Sequence, residues 1–121
     1  MCRKLYVKVL YGTRTYFVVV LTNNIIFAMQ AWAKDQGIEG SMITFLSDAS
    51  GEFTKACDME MTHPGPKSVG IIGRCKRWAM IVENNVIIGM DVAENEMDPA
   101  GDDFPEKTLA PALIKMATAE E

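Results

Sequence analysis

Apolar and polar positions alternate at the start of the chain, with Leu5, Val7 and Val9 separated by Tyr6 and Lys8. A two-residue repeat belongs to a strand. Tyr16 to Leu21 follows as an unbroken apolar run, which suits a strand covered on both faces. Gly12-Thr13 lies between the two stretches, so Leu5–Leu10 and Thr15–Leu21 predict a β-hairpin. The period then changes. Ile25, Met29 and Trp32 recur at i, i+4 and i+7, with Thr22-Asn23-Asn24 before them to cap a helix and Gly37 to end it.

Met42 to Ser47 predicts a short strand, and Asp48 to Gly51 a turn leading into a short helix, Glu52 to Cys57. Thr62-His63-Pro64-Gly65-Pro66 is the strongest breaker, and its two prolines argue against helix there. Cys75 to Val82 and Val86 to Val92 predict an antiparallel pair around Glu83-Asn84-Asn85. After a loop from Glu94 to Glu106, Thr108 is placed to cap a final helix with Leu109, Leu113, Ile114 and Met116. A hairpin, a crossover helix, a strand, and then a hairpin with a helix form the order of a thioredoxin-like sheet entered from its middle. The expected class is α/β: an incomplete thioredoxin-like fold, a mixed sheet flanked by helices, with an N-terminal β-hairpin. Residues 1–121 show no repeat or linker and read as a single domain.

Composition narrows the function. The 121 residues are 49% hydrophobic and 23% charged, which is the balance of a packed domain and not of a disordered one. The net charge of −4 argues against nucleic-acid binding, and no apolar run approaches the length of a membrane span. Arg3, Lys4, Lys8 and Arg14 make the start basic, yet that stretch patterns as strand and not as a targeting helix. The expected location is intracellular, with the cytoplasm first and the mitochondrion second. Cys2, Cys57 and Cys75 are odd in number and include no C-x-x-C pair, which suits neither a disulfide framework nor a zinc site. His63 is the sole histidine. No phosphate-binding loop or nucleophile elbow occurs.

The chemistry that remains lies in Gly73-Arg74-Cys75-Lys76-Arg77-Trp78. Cations beside Cys75 would favour its thiolate if they converged on it; a structural thiol is the alternative. The Arg74, Lys76 and Arg77 cluster offers a guanidinium fork to an oxyanion or a peroxide oxygen, or else guards an exposed strand. Cys57, near a helix end, reads as core, and His63 as a solvated loop residue. Trp32 and Trp78 fall on apolar faces and read as packing.

From about Val18 to Met116 the chain resembles the peroxiredoxin-5-like (type II, redoxin) branch of the peroxiredoxins. The similarity is carried by Ala28 to Asp35, Ile43 to Asp48 with Ser50 to Phe53, Gly73 to Trp78, Val82 to Val86 and Leu109 to Leu113. The resemblance implies a thiol peroxidase that reduces hydrogen peroxide and organic hydroperoxides in cell redox homeostasis. Glutathione with glutaredoxin, or thioredoxin, would be the reductant, and no cofactor or metal is implied. It maps the family's peroxide-positioning arginine onto Arg77. The family's attacking cysteine lies in a P-x-x-x-T-x-x-C loop that does not occur in these residues; Met1 to Phe17 stands in that place, and Glu106 to Thr108 fills the usual stretch of a resolving cysteine. Cys75 is the candidate substitute thiol.

In a thioredoxin-like sheet the strand that leads into the active-site helix is internal. The Leu5–Leu10 strand is expected to fill that gap as an antiparallel neighbour, because its turn is too short for a parallel crossover. A marginal or self-associating protein, or a piece of a longer gene product, is the expectation. The alternative function is a non-catalytic redoxin that pairs with itself or with a full-length peroxiredoxin through Ile25-Ile26-Phe27, where the resemblance places the family's dimer surface.

Overall fold

A computed structural model describes residues 5–11, 15–22 and 26–118; the Gly12-Thr13 turn, the Asn23-Asn24 cap, Ile25 and Cys2 lie outside the described residues. The strands β1 (Leu5–Tyr11), β2 (Thr15–Thr22), β3 (Ile43–Ser47), β4 (Trp78–Glu83) and β5 (Val86–Val92) form one five-stranded sheet in the order β3-β2-β1-β4-β5. The helices are α1 (Ile26–Asp35), α2 (Glu52–Ala56), α3 (Pro64–Ser68) and α4 (Ala110–Thr118), with a 3₁₀ turn at Pro105–Thr108.

β1 takes the central place. It runs antiparallel to β2, with Val7 opposite Val19, and parallel to β4, with Val7 beside Met80. The hairpin thus supplies the backbone partners that an internal β4 and β2 require. α1 makes the crossover from β2 to the parallel β3. Its end is set by Gly37 at φ 63°, whose N–H bonds to the Lys34 carbonyl while that of Ile38 bonds to Ala33, an αL termination that favours glycine.

The continuous apolar run lies in β2, where the successive residues Val20 and Leu21 are both buried, and β4 is likewise covered on both faces. Trp78 and Met80 pack with Leu21, Cys57, Met59 and Met90 on one side. Ala79 and Ile81 pack with Leu113, Ile88 and Met116 of β5 and α4 on the other. Tyr6 is aligned with both Val20 and Ala79, and Val20 with Phe45, so these positions share a sheet face. Trp32 of α1 meets Phe45 at 4.4 Å, which puts α1 and α4 on that same face. Asn84 and Asn85, at φ 49° and 64°, turn β4 into β5 in the left-handed geometry that a two-residue hairpin needs.

Three expectations need correction. Residues 64–68 are a short helix despite both prolines: Pro64 opens the first turn, whose N–H groups have no intrahelical partner to lose, and His63 caps it. β4 begins at Trp78, not Cys75. Ahead of it, Arg74 to Lys76 pairs instead with Met59 to Met61, through Met61 N–H to Arg74 O, Lys76 N–H to Met59 O and a Glu60–Cys75 bridge. Thr108 does not cap α4; it is buried in the 3₁₀ turn, and its hydroxyl donates to the Pro105 carbonyl.

Candidate functional site

Arg77 sits immediately before β4, between two anchors. On one side Trp78 is fully buried in the sheet core. On the other, Gly73 takes φ 74° and the Arg74–Lys76 segment is held by Met59 and Met61. The Arg77 carbonyl accepts from Ala93 N–H at 2.9 Å, and its own N–H donates to Glu94 Oε1 at 2.7 Å. The guanidinium is therefore fixed at its root.

At its tip, Arg77 Nη2 lies 3.1 Å from Asp102 Oδ1. The Arg77 side chain is 17% exposed, and its Nε–H is buried with no acceptor among the described residues. A guanidinium engaged at one Nη, with Nε–H still to be satisfied, can offer hydrogen bonds to an incoming oxygen.

A cleft of about 280 Å³ is lined by residues that include His63, Lys76, Glu94 and Glu96; Arg77 itself is not part of its lining. The His63 ring is half-buried and not simply solvated. Its Nδ1 accepts from Gly65 N–H at 3.0 Å, and Nε2 lies 3.2 Å from the Glu96 carbonyl. The neutral tautomer with hydrogen on Nε2 satisfies both contacts. A larger groove, about 620 Å³, passes Gln30, Lys34 and Phe45 between α1 and β3 and shares no lining residue with that cleft.

The thiols are placed differently. Cys75 is 2% exposed, with its backbone in the bridge to Glu60. Cys57 closes α2 and is half-buried beneath Trp78; burial pushes its thiol up, and the Asp48 charge raises it further. A raised thiol is mostly protonated at neutral pH and is a poor nucleophile. Among the described residues, no three His, Cys, Asp or Glu side chains converge to hold a metal ion, and no helix is long and apolar enough to cross a membrane.

The sequence singled out Arg77 as a candidate but not its surroundings. Glu94, Gly101 and Asp102 come from a loop legible only as acidic, and Asp102 is 25 positions away from its partner. A glycine with acids on both sides was the available signal. On the far side of the sheet's centre, Ile26 and Phe27 are 52% and 74% exposed at the start of α1.

A family model of redoxins matches residues 8–107. Among curated relatives, peroxisomal membrane associated protein 20 of Schizosaccharomyces pombe is 34% identical over 96 residues, covering 77% of this chain and 58% of its own length. Hybrid peroxiredoxin hyPrx5 of Haemophilus influenzae is 34% identical over 87 residues, covering 72% of this chain and 33% of its own. The chain thus spans less than two thirds of the length of these relatives. Reduced Prx3 from Vibrio vulnificus superposes with a TM-score of 0.66 at 24% identity, covering 98% of this chain and 82% of that one, which is a likeness of fold.

Proposed function

The chain belongs to the redoxin family, among its peroxiredoxin-like members, and on that premise we propose that it serves the thiol-dependent reduction of hydrogen peroxide and organic hydroperoxides. Arg77 is the residue that positions the peroxide. The observation that carries this role is the buried Arg77 Nε–H without an acceptor, on an arginine fixed at its root by Glu94 and Ala93.

The chemistry needs such a group. A thiolate attacks one peroxide oxygen, the O–O bond breaks, and the sulfur becomes a sulfenic acid. The other oxygen leaves as water or an alcohol after taking up a proton. Negative charge develops on that leaving oxygen, where a preplaced guanidinium stabilises it. Two glutathione thiols, delivered with glutaredoxin, then return the sulfenic acid to thiol and yield glutathione disulfide and water; thioredoxin does the same with its dithiol. That Cys57 and Cys75 are not joined in disulfides suits a reducing intracellular compartment, for which we take the cytoplasm.

Residues 1–121 supply the arginine, whereas the state of the described thiols argues against either as the attacking group. Cys75 is shut away from solvent and Cys57 is held protonated. The test is a chimera in which residues 1–17 are replaced by the P-x-x-x-T-x-x-C-bearing segment of a peroxiredoxin-5-like relative. It should consume hydroperoxide with glutathione and glutaredoxin, and Arg77→Ala should lower its kcat/KM by about 10²–10³. A chimera that turns over equally well without Arg77 would remove the arginine from the reaction.

A second reading is favoured by Ile26 and Phe27: the chain acts as a pairing module, with itself or with a full-length peroxiredoxin. Ile25, the third residue of that cluster, lies outside the described residues. Sedimentation of the wild type as a dimer, converted to monomer by Phe27→Glu, supports this reading. A monomer at all concentrations, with no complex with a peroxiredoxin, opposes it.

A further inference from the structure

The loop that brings Asp102 to Arg77 is a shaped strap. Asn95 Oδ1 accepts from the N–H groups of Met97 and Asp98, each at 2.9 Å. Asp98, 7% exposed, accepts from Asp102 N–H at 3.3 Å and from Asp103 N–H at 3.0 Å. Glu94 grips the Arg77 backbone. Gly101 lies so near the arginine stem that a Cβ there would stand 3.1 Å from Arg77 Cβ and 3.3 Å from Cδ, and its φ of 66° independently favours glycine. Residues 94–103 are thus folded along the arginine, and the strap ends with a carboxylate on the guanidinium.

That last contact is of a kind that yields. Asp102 is 40% exposed and meets Arg77 through a single Nη, and exposed pairs of this sort hold weakly. Arginine binds an oxyanion best through two parallel N–H···O bonds. Arg77 Nε–H finds no acceptor among the described residues. Because Nε–H is buried, an oxygen ligand reaches it only where the departure of Asp102 opens the way, and it then gains a bond that the strap does not provide.

We propose that Asp102 is an internal competitor, an autoinhibitory carboxylate that occupies Arg77 until a small oxyanion or peroxide oxygen displaces it. This rests on the reading of Arg77 as the oxygen-positioning residue and adds regulation to the same site. Peroxide access is then set by how firmly the strap holds Asp102 down.

Inorganic phosphate is the probe, titrated into the 121-residue chain at constant ionic strength. The arginine Nε–H signals are followed by ¹⁵N–¹H NMR, with Arg77→Lys identifying the Arg77 signal by its loss. The expected result is a saturable movement of that signal in the wild type. Asp102→Asn should lower the half-saturating concentration about fivefold. Asp102→Ser should do the same, so a folding defect in one variant is not mistaken for the effect. Asp103→Asn, which removes an equal charge one residue along, should stay within about twofold of wild type. Equal half-saturation in the wild type and both Asp102 variants, or an equal drop with Asp103→Asn, overturns the competitor and leaves Arg77 as an oxyanion ligand. No saturable movement in any variant overturns both the competitor and the role given to Arg77.

Discussion

One oxygen of Asp48 takes both the backbone N–H of Thr54, at 2.9 Å, and its hydroxyl, at 2.7 Å, while the other oxygen accepts from Phe53 N–H at 3.2 Å. Asp48 and Thr54 are both buried, so this pair fixes the passage from β3 into α2 and with it the floor under Trp78 and Cys57. Burial raises the Asp48 carboxyl, but the Thr54 hydroxyl, the two N–H groups and the Lys55 charge together outweigh it and hold the group below its ordinary value of 3.8.

A depressed carboxyl contributes stability above its unfolded value and loses it as pH falls through its lower folded value. Urea unfolding should therefore show wild-type stability declining below about pH 4, with part of that decline absent in Asp48→Asn. At neutral pH, Asp48→Ala should cost about 2 kcal/mol and Thr54→Val about 1 kcal/mol. An Asp48→Asn profile parallel to wild type throughout would contradict the linkage.

Cys57 reports on the same carboxylate. Burial first, and then Asp48, raise its thiol above 9.0, so alkylation near pH 7 should be slower than that of a free thiol and should climb with pH beyond the usual midpoint. Asp48→Asn should move that midpoint downward. Simple loosening of the fold would instead quicken alkylation at every pH without moving the midpoint. Cys75 should label only on unfolding, because it is 2% exposed. Peptide mapping after iodoacetamide treatment separates the two sites.

Trp78 tests the core. Its ring is fully buried, and Phe53 stacks on it at 6.4 Å between centroids. The indole Nε1–H has no acceptor among the described residues, so Trp78→Phe forfeits volume but no protein hydrogen bond. Its cost should be about 1–2 kcal/mol, against about 3–5 kcal/mol for Trp78→Ala. Chemical denaturation measures both.

Much of this architecture was legible because local chemistry specified it. The Asn84-Asn85 hairpin, the glycine stop after α1 and the burial of successive β2 residues Val20 and Leu21 each follow from residue type and spacing. The prolines at 64 and 66 misled because their cost applies to a helix interior, and these two occupy a first turn. The start of β4 was misplaced because the extended residues before it pair with Met59 to Met61, a tertiary choice that strand pattern does not encode. Arg77 could be located from its sequence block. Its ion pair could not, since any of several acids in residues 94–106 might have met it on pattern alone, and the Gly101 approach and the Asp98 hydrogen bonds select Asp102.

The central proposal is that Arg77 positions the peroxide while neither described thiol, Cys57 or Cys75, is activated. Hydroperoxide consumption by the unmodified 121-residue chain, with glutathione and glutaredoxin, tests it most directly. The predicted result is consumption no faster than that of free cysteine at equal thiol concentration, unchanged by Cys57→Ser or Cys75→Ser. Catalytic turnover that either substitution abolishes would contradict it.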